Sequence, residues 1–126
     1  MARRSLRVLG CGAVLAAVLV GCGSSGGGDA YVQPKGPPVK TLDISAKNFE
    51  FTPRDVTAPA GILQVDLTST DNLHSFVIEG VPGFQLETTN GKTATGKVKL
   101  EPGKYTFYCD IPGHRTAGME GTLTVK

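Results

Sequence analysis

The sequence predicts an all-β fold, a small sandwich or barrel, and three observations carry that expectation. From Lys40 onward, apolar residues alternate with polar ones over short runs. Dipeptides that favour turns separate those runs. No segment in this part sustains the spacing of an amphipathic helix. Taken in order, Leu42 and Ile44 alternate with Asp43 and Ser45, and Phe49 and Phe51 flank Glu50. Leu63, Val65 and Leu67 alternate with Gln64 and Asp66. Phe76 and Ile78 share one face, as do Val98 and Leu100, Tyr105 and Phe107, and Leu123 and Val125. Successive side chains of a strand point to opposite sides of a sheet, so each set marks a buried face. Thr52-Pro53, Ala60-Gly61, Pro82-Gly83, Asn90-Gly91 and Pro102-Gly103 punctuate the runs. Asn90-Gly91 reads as a hairpin turn, because both positions of such a turn need positive φ. Several short strands at this spacing suit a sandwich or barrel.

The first 39 residues are different in kind. Met1–Arg7 is basic, and Val8–Val20 is a run of apolar and small residues. A basic start followed by a short apolar stretch is the pattern of an export signal. The stretch is shorter than the roughly 18 residues that a spanning helix needs. It ends in Leu19-Val20-Gly21-Cys22, which resembles the bacterial lipobox, where cleavage precedes a Cys that then receives lipid. Residues 1–21 are therefore expected to be a lipoprotein signal peptide, with Cys22 as the lipidation site. Residues 22–39 are rich in Gly and Ser and then in Pro, with too little apolar content to bury anything, and are expected to be a disordered tether. The folded domain is expected over residues 40–126.

Charge excludes one large class of function. Thirteen Lys and Arg against eleven Asp and Glu leave a formal net charge of +2. Arg3, Arg4 and Arg7 supply that excess, so the exported part carries no basic surplus. Nucleic-acid binding has no electrostatic support in such a chain. The length leaves no room for a second, nucleotide-binding domain.

Cysteine use is more informative. Cys11 leaves with the signal and Cys22 is assigned to lipid, so Cys109 stands alone in an exported domain. Exported thiols are normally paired, and an unpaired one is an inert buried thiol, half of an intermolecular bridge, a nucleophile or a metal ligand. Its neighbours favour the last. Cys109, His114 and Met119 are separated by four residues each, and the only other His is His74. Two His and one Cys with a weak axial Met form the blue-copper ligand set. Thiolate and thioether suit Cu(I), and imidazole also suits Cu(II). Parity agrees: Cys109 lies in phase with Tyr105 and Phe107, His74 with Phe76 and Ile78, and Met119 with Leu123 and Val125. These three would point inward at strand ends, with His114 supplied by the Pro-Gly loop between them. Structural zinc fits this set poorly, since closed zinc sites take more Cys and His and avoid thioether. A dinuclear copper site would want two Cys in the loop. A Cys–His hydrolase lacks an evident orienting or oxyanion group.

The domain resembles the cupredoxins, the small blue copper proteins that include plastocyanin, azurin, auracyanin and rusticyanin. The resemblance covers essentially residues 40–126. It rests on the Cys109–Met119 loop, which is similar to the auracyanin and rusticyanin type, and on Asn72-Leu73-His74-Ser75-Phe76-Val77-Ile78, which is similar to the family's first-His segment. It implies a Greek-key β-sandwich holding one type 1 copper ion at His74, Cys109, His114 and Met119. Where many members have Asn after the first His, this chain has Ser75, a departure that bears on the contact tying the two ligand loops together. Ser75 is expected near the Cys109 sulfur.

The expected function is one-electron transfer, without enzymatic activity, by a monomer lipid-anchored through Cys22 to a membrane and facing the periplasm or cell exterior. The resemblance implies electron passage through His114, where redox protein partners would dock on the small, mostly uncharged surface of Pro112, Gly113, Ala117 and Gly118. Arg115 reads as solvated surface. Copper delivery to another protein and a metal-free structural domain are the rival roles; rapid metal release would mark the first and the absence of native copper the second. Cys22→Ala is expected to shift the protein from the membrane pellet to the soluble fraction and to abolish labelling by a radioactive fatty acid.

Overall fold

The computed structural model describes residues 30–126. The expected signal peptide over residues 1–21, lipidation at Cys22 and the first part of the tether lie outside the described residues. Nine strands and no helix form among those described: β1 (Lys40–Lys47), β2 (Glu50–Thr52), β3 (Asp55–Ala58), β4 (Gly61–Ser69), β5 (His74–Ile78), β6 (Gln85–Thr88), β7 (Thr93–Leu100), β8 (Gly103–Tyr108) and β9 (Glu120–Val125). They make two sheets, ordered β2-β1-β4-β7 and β3-β9-β8-β5-β6. β1 runs parallel to β4 and β3 parallel to β9, and the other neighbours are antiparallel. The expected all-β sandwich is the fold.

Alternation explains which face each strand buries. In β4, Leu63, Val65 and Leu67 are fully buried while Gln64, Asp66 and Thr68 stay half-buried. In β9, Gly121, Leu123 and Val125 are buried between half-buried Glu120, Thr122 and Thr124. The inward residues of both sheets meet in one core. Its centre is aromatic. Phe76 and Phe107 stack at 4.9 Å between ring centres, and Phe51 sets its edge against both, at 5.8 and 5.4 Å. Each fully buried Phe contributes roughly 1.5–3 kcal/mol by leaving water, and the ring pairs add to that.

The turn residues lie where the sequence puts them, but most change sheets instead of closing hairpins. Asn90 and Gly91 have the positive φ values expected, 36° and 75°. Yet they link β6 to β7, which belong to different sheets. The physical reason is in the hydrogen bonds: Gly91 N–H donates to the Ser69 carbonyl at 2.7 Å, and Ser69 N–H donates to Lys92 at 3.1 Å. The turn is thereby held by the end of β4. Phe49 also departs from expectation. It was expected to share the inward face of Phe51, but it occupies the turn between β1 and β2 with φ of 71°. That breaks the alternation and leaves its ring 45% exposed at the end of the sandwich.

Contacts with the sandwich begin before Lys40, within the segment expected to be tether. The Tyr31 hydroxyl donates to the Lys97 carbonyl at 2.9 Å, and its ring meets Phe84 edge-on at 5.2 Å. Gln33 Oε1 accepts the Lys97 N–H at 3.0 Å, and Lys97 Nζ donates to the Gly36 carbonyl at 2.9 Å. Residues 31–36 therefore lie against β7, and Val39 N–H then joins the Ile62 carbonyl of β4 at 2.7 Å as the chain enters β1.

Close packing is sharpest at Gly121 in β9. A Cβ there would overlap the Phe107 ring and the Arg54 carbonyl oxygen, which itself accepts the Thr122 N–H at 2.9 Å. Gly121→Ala is expected to cost roughly 1–3 kcal/mol of stability through overpacking. Urea unfolding of the two proteins, with an unchanged slope and a lower midpoint, is the check.

Candidate metal centre

Four donors converge at one end of the sandwich. His74 is the first residue of β5, Cys109 directly follows β8, Met119 directly precedes β9, and His114 lies in the connection between the last two. Because β8 and β9 are antiparallel neighbours, the loop that joins them must return to its start. Cys109 N–H donates to the Met119 carbonyl at 3.1 Å, which closes the loop. Within it, Met119 N–H donates to the His114 carbonyl at 3.0 Å, and His114 N–H to Ile111 at 3.0 Å. Two tight turns result, and Gly113 supplies the left-handed φ of 85° just before His114. The two four-residue gaps are thus the lengths that bring Cys109, His114 and Met119 back together.

The donor atoms of His74, Cys109 and His114 all lie within 4.8 Å of one another. Cys109 Sγ is 3.4 Å from His114 Nδ1. Two donors each about 2.0–2.3 Å from one ion would sit roughly 3.5 Å apart, so this spacing suits a shared metal ion. His74, Cys109 and Met119 are fully buried, and His114 is the partly exposed member of the set.

One buried polar atom at this end is left without a partner. His74 Nδ1 is the one buried side-chain nitrogen or oxygen among the described residues that has no hydrogen-bond partner. Leaving such a group unpaired costs about 1–3 kcal/mol. Its ring partner, Nε2, faces Asp71 Oδ1 at 2.7 Å. A histidine with one nitrogen on a carboxylate and a bare lone pair on the other is prepared for a metal. The thiol, two imidazoles and thioether are the donor set for copper, and the residues present fit one type 1 copper ion.

Hydrogen bonds around the sulfur come from Ser75. Its N–H donates to Cys109 Sγ at 3.3 Å. Its hydroxyl also lies 3.5 Å from the sulfur, but it donates to Asp110 Oδ1, and a hydroxyl has one proton to give. Asp110 N–H returns a bond to Ser75 Oγ at 2.9 Å, and Gln85 Nε2 holds the Asp110 carboxylate at 3.0 Å. Ser75 and Asp110 therefore tie the two ligand segments together, supplying the contact that the departure at Ser75 had put in question.

Three neighbours of the site were not singled out by sequence. Asp71 stands three residues before His74, a spacing that a short turn brings into contact. Slight burial works to raise its carboxyl pKa, but N–H donors from Asn48, His74 and Asn72 outweigh it and hold the group below its ordinary value. Asp110 is adjacent to Cys109, but its pairing with Ser75 is legible only from the β5–β8 register. Phe49 meets the His114 ring edge-on at 5.1 Å, a contact that follows from its unexpected backbone. Arg115, expected to be solvated surface, is exposed and is also engaged there. Its guanidinium lies 4.1 Å over the Tyr108 ring and donates to Glu79 at 2.6 Å and Glu120 at 3.1 Å.

Comparison with known proteins agrees with this geometry. The chain is 32% identical over 94 residues to plastocyanin of Dryopteris crassirhizoma, covering 63% of this chain and 90% of that one. Its fold is similar to auracyanin B, with a TM-score of 0.65 and 22% identity over 79% of this chain and 96% of the other. It is also similar to auracyanin A, a "blue" copper protein of Chloroflexus aurantiacus, with a TM-score of 0.61 and 18% identity over 71% of this chain and all of that one. A family model described as the cupredoxin-like domain matches residues 13–125, and the chain belongs to that family.

Proposed function

We propose that this protein is a membrane-anchored one-electron carrier with a type 1 copper site, working between redox partners outside the cytoplasm. His74, Cys109, His114 and Met119 would hold the metal. The observation that carries the reading is the buried, unpaired His74 Nδ1 beside Cys109 and His114. Copper, when bound there, supplies exchange of one electron between Cu(II) and Cu(I).

The protein's own residues make that exchange easy. Three of the four ligands are out of reach of water, which keeps competing ligands away. The backbone bonds of the Cys109–Met119 loop and the Ser75–Asp110 pair fix the donors before metal arrives. Donors that cannot move have little to reorganise when the charge changes. The Ser75 N–H on the sulfur stabilises thiolate character and so affects the reduction potential. His114 leads from the centre to the surface, flanked by exposed Pro112, Gly113 and Ala117. Phe49 lies against its ring, and Leu73, next to His74 in sequence, is 45% exposed. Such a surface suits brief docking of a redox partner, an encounter of small area. The lipid anchor on Cys22 and the tether following it would keep these encounters at the membrane.

Two tests follow. Adding Cu(II) to the exported protein is expected to produce an intense blue band that bleaches reversibly on reduction and is absent in Cys109→Ala. Colourless binding with rapid copper release would favour delivery of metal, and absence of binding would leave only the fold. Phe49→Asp is expected to keep the band and to slow electron exchange with a reduced partner protein about tenfold, read by stopped-flow bleaching.

A further inference from the structure

We propose that Asp71 is a positioning residue of the metal centre, fixing the His74 ring through Nε2 and biasing the site toward Cu(II). This rests on the copper reading above and extends it to a residue outside the ligand set.

The Asp71 carboxylate accepts from three N–H donors. Oδ1 accepts the Asn72 N–H at 2.7 Å as well as His74 Nε2 at 2.7 Å. Oδ2 accepts the Asn48 N–H at 2.9 Å, from the turn between β1 and β2. Asp71 N–H points to Ser69 Oγ at 3.3 Å, and that hydroxyl donates to the Asn72 carbonyl at 2.6 Å. The Asn48 and Asn72 side chains meet at 3.3 Å over the same junction. A carboxylate so placed links the end of β4, the start of β5 and the β1–β2 turn. It has little freedom to follow the imidazole; the imidazole must follow it.

Two consequences come from chemistry. An ionised carboxylate accepts hydrogen bonds and donates none. Nε2 must therefore carry a proton, and in the neutral ring that leaves Nδ1 with a bare lone pair. Nδ1 is the buried, unpartnered atom among the described residues. Loss of Asp71 would leave the buried Nε2 proton without its acceptor and remove the preference for this tautomer and ring angle. The second consequence is charge. A carboxylate hydrogen-bonded to a ligand imidazole makes it more basic and better able to support the more positive metal. Asp71 therefore strengthens Cu(II) binding more than Cu(I) binding, and lowers the midpoint potential.

The test uses Asp71→Asn, which keeps an acceptor oxygen but loses the charge, and Asp71→Ala, which loses both. In the metal-free protein, nitrogen-15 NMR of His74 is expected to show one tautomer, protonated at Nε2, in the parent and in Asp71→Asn. Asp71→Ala is expected to show exchange between tautomers. In the copper-loaded protein, Asp71→Asn is expected to keep the blue band and to lose about tenfold in Cu(II) affinity relative to Cu(I). That is a midpoint raised by about 59 mV for a one-electron couple. An unchanged midpoint in Asp71→Asn, or an unchanged single tautomer in Asp71→Ala, would overturn the proposal. The tautomer measurement needs no copper, so failure of the parent to form a blue site would count against the function and leave the assignment of Asp71 separately decided.

Discussion

Phe76 and Phe107 stack across the β5–β8 pair, and each stands two residues from a donor, His74 on one strand and Cys109 on the other. Two residues are one repeat of a strand, so each donor points to the same side as its phenylalanine. The stacked rings thus set where the sulfur and the first imidazole lie relative to each other. Phe51 packs edgewise on both rings from the opposite sheet and keeps them from sliding. Gly121 leaves the space that lets Phe107 lie close to β9, and β9 begins beside Met119. The core and the metal centre are therefore one packing problem. A side chain that shifts the ring pair by a fraction of an ångström shifts the donors with it.

Around that centre the polar groups are divided by side. The inner side is apolar, made of the aromatic rings and Met119. The outer side carries two carboxylates, Asp71 behind His74 and Asp110 behind Ser75, each fixed by backbone N–H donors or by Gln85. Neither carboxylate is fully buried, since Asp71 is half-buried and Asp110 exposed. They act by holding neutral neighbours in one orientation, and that is compatible with a rigid site at the edge of water. Arg115 closes the same end by joining Glu79 after β5 to Glu120 in β9 across Tyr108. Exposed pairs of this kind contribute little to stability individually; here they restrain the loop next to His114.

Much of this was legible in the residues. The inward face of each long strand follows from period-two alternation, because a half-buried sheet imposes it on the sequence. The donors were legible because metal chemistry restricts residue type and the loop restricts spacing. What escaped were features decided by tertiary contact. Asn90-Gly91 has the backbone of a hairpin turn, but nothing local says that β4 will capture it. Phe49 looks like a strand residue, and only the closure of the β1–β2 turn gives it a positive φ and a place beside His114. Ser75 and Asp110 are 35 positions apart, and their pairing exists only once β5 and β8 are in register. The stretch just before Lys40 is a related case. Its composition is that of a coil, but one tyrosine and one glutamine are enough to attach it to β7.

That attachment bears on how the molecule behaves toward copies of itself. β7 is the last strand of its sheet, and the amide and carbonyl of Lys97 face away from β4. An unpaired strand edge is a template for another chain to add to. Tyr31 and Gln33 occupy both groups, and Lys97 Nζ holds the Gly36 carbonyl beside them, before Val39 N–H turns to the Ile62 carbonyl of β4. The stretch before β1 thus forms a selvedge on the sheet. A second copy that meets this sheet at β7 finds both Lys97 groups already taken, so strand addition there would first have to displace Tyr31 and Gln33.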